Sequence, residues 1–158
     1  MMRDDPTRRQ PMAKSTLVAL ALAVLPLPAT IDAFRPDFLV LVVFYWSIES
    51  PRAGGLGLAF AAGLALDVEL GVVLGQHALA LTLMAAWATH LRLRLRVFSM
   101  VSQVLTIFAL LAGYQFILFW IDGATGNPVT TFSRWLAPMI GALIWPLLAG
   151  GLSRLSDA

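Results

Sequence analysis

Six apolar runs follow one another along this chain, separated only by short breaks rich in Pro, Gly and Arg. They are "STLVALALAVLPLPATI", "RPDFLVLVVFYWSIES", "LGLAFAAGLALDVELG", "GQHALALTLMAAWATHL", "MVSQVLTIFALLAGYQFILFWID" and "RWLAPMIGALIWPLLAGGL". A helix needs about 20 mostly apolar residues to cross a bilayer, and only helices and closed barrels satisfy their backbone groups there. Six such helices take about 120 residues, which leaves short tails and tight loops in a chain of 158. Composition agrees. The chain is 59% hydrophobic and 13% charged, whereas a soluble domain is roughly 45–50% apolar and about a quarter charged. Mean hydropathy is +0.80.

The expectation is an all-α integral membrane protein, a bundle of six transmembrane helices. The spans are placed at about 14–31, 36–50, 54–71, 75–92, 99–122 and 134–152 of one domain, 14–154. A polar, disordered tail occupies 1–13 and a short one 155–158. "RLRLRVFS" reads as a basic turn, and "PRAGG" and "GATGNPVTTFS" as loops. The first run also carries features of a cleaved signal peptide, including the twin arginines of "TRRQPM". Pro26 and Pro28 interrupt it before a clean small-x-small site, and five more spans follow, so an uncleaved span is favoured. Pro138, Gly141 and Pro146 suggest a kinked last helix. The five tryptophans are assigned mostly to aromatic belts at the span ends.

Orientation follows from Lys and Arg. With the N-terminus in the cytoplasm, Arg3, Arg8, Arg9, Lys14, Arg52, Arg92, Arg94, Arg96 and Arg154 lie inside, and only Arg35 and Arg134 outside. That asymmetry matches the positive-inside rule, with both termini cytoplasmic. It also accounts for a pI near 9.7 without nucleic acid.

Two acids, Asp67 and Glu69, stand inside the third run. Asp67 is thirteen steps from residue 54, about 20 Å into a core of roughly 30 Å. Glu69 is nearer the surface. A stripe at a spacing of four joins Ala59, Gly63, Asp67 and Gly71; Gly57, Ala61 and Ala65 form a second row. Small residues at that spacing let a second helix approach, so Asp67 is expected in a helix seam. Gln76 and His77 are its nearest expected partners, with Tyr114 and Gln115 as further candidates. Two roles stay open. Asp67 caps backbone groups of the "GVVLG" turn, or it binds an ion, substrate or partner, as intramembrane acids often do.

Enzymatic chemistry finds little support. Cysteine is absent, no G-x-S-x-G or H-E-x-x-H occurs, and no Walker lysine motif is present. Ser47, Ser99 and Ser102 have no evident base, and His90 sits beside Arg92. No cofactor or metal is implied.

The stretch from "RPDFLVLVV" through "GLALDVELGVVLGQHALALTL", then "RVFSMVSQ", "YQFILFWIDGATG" and "WLAPMIGALIWPLL", resembles the MreD family of rod shape-determining proteins over about residues 14–154. Arg35, Pro36, Asp37, Asp67, Gly71, Gly75, His77, Tyr114 and Gln115 occupy its motif positions. With Gly63, they are the candidates for a partner site or structural seam. The resemblance implies a non-catalytic inner-membrane component of the elongasome, working with MreC, MreB, RodA and its penicillin-binding transpeptidase in side-wall peptidoglycan synthesis. It also implies similarity in fold to the substrate-binding subunits of energy-coupling-factor transporters. A membrane-embedded ligand-binding subunit is therefore the alternative to a scaffold.

Overall fold

The computed structural model describes residues 9–32, 34–52, 55–126 and 132–157. The ends of the expected tails, residues 53–54 of the "PRAGG" turn and 127–131 of the long loop lie outside the described residues. Among the described residues there are seven α-helices and no strand: α1 (Arg9–Val24), α2 (Ala29–Asp32), α3 (Phe38–Glu49), α4 (Leu56–Leu70), α5 (Gln76–Val97), α6 (Met100–Thr125) and α7 (Leu136–Asp157). A 3-10 turn, Phe132–Trp135, leads into α7. Two helices, α6 and α7, are long and apolar enough to cross a membrane.

α3 is the centre of the bundle. Its sequence, FLVLVVFYWSIE, has no polar stripe, and every residue from Leu39 to Ile48 is buried. A helix that is apolar all round has to be surrounded; α3 packs against α1, α4, α5 and α7. Trp46, fully buried on α3, donates its indole N–H to Ser15 Oγ of α1 at 2.9 Å. Trp145 of α7 is also buried and sits beside Tyr45. These two tryptophans are core, not belt. Trp87 and Trp120 are each 64% exposed and fit the belt reading.

Several boundaries differ from the sequence expectation. α1 already includes Arg9–Ala13, which the sequence places in the tail. α5 runs through Arg92, Arg94 and Arg96 to Val97, so the expected basic turn is helix. Leu and Arg are good helix formers, and cations in the last turn complement the helix dipole. The turn itself is only Phe98 and Ser99. α7 is assigned unbroken through Pro146 and continues to Asp157, into the expected C-terminal tail.

α3 and α5 run parallel. Thr89 Oγ1 lies 3.4 Å from Ser47 O, and Arg96 reaches Glu49 at 2.8 Å. This register starts α5 about one turn, roughly 6 Å, ahead of α3. With 12 residues, α3 is about 18 Å long, whereas α5 with 22 is about 33 Å. The central helix therefore falls short of α5 at both ends, by about 6 Å where the two helices begin and about 9 Å where they finish. The end where α3 and α5 begin is also where α4 and α6 finish. We call this the upper end.

Candidate functional site

The turn between α4 and α5 is built around Asp67. Gly71 ends α4 at φ +63, a left-handed conformation natural to glycine, and its N–H returns to the Asp67 and Val68 carbonyls. Gly75 opens α5 at φ +98, and its N–H reaches Asp67 Oδ2 at 2.8 Å. Asp67 Oδ1 accepts the His77 N–H at 2.8 Å, and Oδ2 accepts the Ala78 N–H at 3.4 Å. A carboxylate on the last turn of one helix thus takes the orphan donors of the next helix. It also meets His77 Nδ1 at 2.8 Å. That contact places the proton on Nδ1 and leaves Nε2 as an acceptor when the ring is neutral. Asp67 is 1% exposed, so its charge is compensated by these four contacts instead of by water.

Gly63 explains how α4 comes this close. A Cβ there would fall on the Ala78 backbone of α5. Ala59, Gly63 and Asp67 share the buried face. Gly71, the fourth member of the expected stripe, is exposed with open space around it. Its role is the left-handed cap, not the seam. Gly57 and Ala61 of the second row are exposed.

A second polar chain crosses the upper end. Asp37 precedes α3, and its Oδ2 accepts the Gln115 Nε2–H at 3.2 Å. Gln115 Oε1 accepts from Arg134 Nε at 3.0 Å; Arg134 Nη1 pairs with Asp122 Oδ2 at 2.6 Å. Asp122 Oδ1 accepts the Gln76 Nε2–H at 2.6 Å. Arg35 turns back to the Leu25 carbonyl at 2.9 Å and to Asp32 at 3.5 Å. The Tyr114 ring lies 6.3 Å from His77, centroid to centroid.

Of the partners expected for Asp67, only His77 bonds to it. Gln76 bonds Asp122, Gln115 bonds Asp37, and the Tyr114 hydroxyl has no hydrogen-bond partner among the described residues. Asp122 and Arg134 were not among the sequence candidates. Their signal was available: an acid ends one span and a base opens the next, on the side poor in cations.

Arg35, Asp37, His77, Tyr114, Gln115 and Arg134 together line a cavity of about 540 Å³ above the start of α3, with Leu66, Leu118 and Ala137 as its apolar wall. Among the described residues, no three His, Asp or Glu side chains converge as a metal site would need. The cavity offers acceptors (His77 Nε2, the second Asp37 oxygen), a phenol and two guanidinium groups. Such a set suits recognition by hydrogen bonds.

The sequence profile of the family described as rod shape-determining protein MreD matches residues 11–153. A rod shape-determining protein MreD of Haemophilus influenzae is 31% identical over 134 residues, covering 82% of this chain and 80% of that protein. No solved structure gives a significant match.

Proposed function

Because the chain belongs to the MreD family of rod shape-determining membrane proteins, we propose that it is a non-catalytic scaffold of the cell-elongation machinery, holding MreC through the cavity at its upper end. Through MreC it works with MreB, RodA and the penicillin-binding transpeptidase in side-wall peptidoglycan synthesis. The observation that carries this reading is the cavity over α3, where Tyr114 and His77, each buried, keep polar capacity unspent. A surface that binds a partner keeps such groups at a desolvated centre.

In this proposal α1 and α3–α7 are the six spans, with both termini in the cytoplasm and the cavity open to the periplasm. Supporting it, Arg52, Arg92, Arg94, Arg96 and Arg154 fall at the lower end, while Arg35 and Arg134 sit at the upper. A short span such as α3 is accommodated by neighbours and by local thinning of the bilayer.

The test is co-purification of MreC from detergent extracts, followed by mass spectrometry. Wild-type protein is expected to retain MreC. Ala137→Trp fills the cavity and is expected to lose MreC at unchanged membrane abundance. MreC retained by that variant would place the contact elsewhere. Recovery of an ATPase module instead of cell-wall proteins would point to a transporter subunit.

A further inference from the structure

A second and larger recess meets the upper cavity at Phe38, which lines both, and runs from there toward the lower end. α1 and α7 run antiparallel and part along one side of α3, leaving a groove of about 1120 Å³ floored by Phe38 and Val42. Its walls are aliphatic: Val18 and Leu22 from α1, Leu148 and Leu152 from α7. Its lower end is polar, with Gln10 and Lys14 on one side and Ser156 and Asp157 on the other. Lys14 makes no ion pair among the described residues. Arg9 and Arg154 lie at the same end of the bundle, outside the groove lining.

We propose that this groove holds one phospholipid of the cytoplasmic leaflet, with an anionic headgroup at Lys14 and an acyl chain along the α1–α7 walls. The leaflet rests on the orientation proposed above; the lipid class does not. Length and lining select the occupant. From Gln10 to Leu22 the groove follows twelve residues of α1, about 18 Å, close to one leaflet of a roughly 30 Å hydrocarbon core. Its aliphatic walls suit an acyl chain laid along them. Charge selects the headgroup. The one cation of the lining, Lys14, stands at the lower end, and above Ser15 the lining is hydrocarbon, so a phosphate sits at Lys14 and its chain points inward.

Native mass spectrometry of the intact protein, released from nanodiscs containing equal phosphatidylglycerol and phosphatidylcholine, tests this. The expected result is one retained phospholipid, mostly phosphatidylglycerol. Lys14→Gln should lower the preference for phosphatidylglycerol about fivefold, the value of one cation near an anionic headgroup. Val18→Trp should abolish retention by filling the groove. Val18 is 59% exposed, so the fold does not depend on its size; Leu155→Trp, at a groove residue 57% exposed, is the second filling variant. Leu143→Trp, 71% exposed and not in the groove, should retain lipid as wild type does. Equal retention by wild type and both filling variants would overturn the proposal. So would retention with no headgroup preference, or cross-linking of a photoactive residue at Leu152 to a peptide instead of a lipid. MreC binding is not read in this assay, so its failure leaves the scaffold reading standing.

Discussion

Replacing Asp67 by Asn is the sharpest test of why an acid is tolerated in the α4–α5 seam. The carboxylate accepts from Gly75 N, His77 N and Ala78 N and contacts His77 Nδ1. Asparagine keeps one acceptor oxygen. Its amide nitrogen, on the other side, points donors at donors. In either rotamer at least one backbone N–H at the start of α5 loses its acceptor. A buried polar group left unpaired costs about 1–3 kcal/mol. The surviving bonds lose their charge assistance, which roughly halves them. Together these amount to about 3 kcal/mol, or roughly 6–12 °C in Tm at 2–4 °C per kcal/mol. The assay is thermal unfolding in detergent, with amide exchange at Gly75 and His77 read alongside. Both amides should exchange faster in Asp67→Asn. Glu69→Gln, on an exposed residue, should stay within about 0.5 kcal/mol of wild type. An Asp67→Asn protein with unchanged Tm and unchanged exchange would refute the capping account.

Gly63→Leu should separate α4 from α5 and lower membrane abundance, with an overpacking cost of about 1–3 kcal/mol, whereas Phe60→Leu on the exposed face should be tolerated; quantitative blotting checks both. Gly71→Ala should cost about 1–2 kcal/mol through its φ of +63 alone, since no neighbour obstructs a Cβ there, and a Tm measurement reads it. A cysteine at Gly126 should react with an impermeant reagent added outside, and one at Arg94 should not. The opposite pattern would invert the proposed topology.

The sequence showed helices well and lengths less well. Apolar runs with Pro and Gly breaks located α3, α4 and α6 to within a few residues. "RLRLR" has the charge of a cytoplasmic turn, yet its alternating Leu and Arg are both strong helix formers, and α5 continues through it. Gly63 was legible as a seam residue from its spacing to Ala59 and Asp67. Gly71 shares that spacing but lies one residue past the helix, where the backbone leaves the helical period. The Asp67–His77 contact was accessible because only a short turn intervenes. The Asp37–Gln115 and Asp122–Gln76 bonds were not, because they join positions far apart in the chain, and no local period reports which outer ends meet.

The shortness of α3 also has an electrical side. In the proposed orientation, water entering the cavity brings the periplasmic potential down to Asp37, so the membrane voltage falls across about 18 Å of α3 instead of a core of roughly 30 Å. The mean field along that helix is then about 1.7-fold higher than across the surrounding lipid. A helix carries roughly half a positive charge at its N-terminus and half a negative one at its C-terminus. With the inside negative, α3 lies against the field, at a cost of about 1 kcal/mol for 100 mV. The carboxylate of Asp37, held by Gln115 at the positive end, offsets part of that strain. De-energising the membrane therefore changes the field more at this helix than in the surrounding lipid, beneath the floor of the cavity.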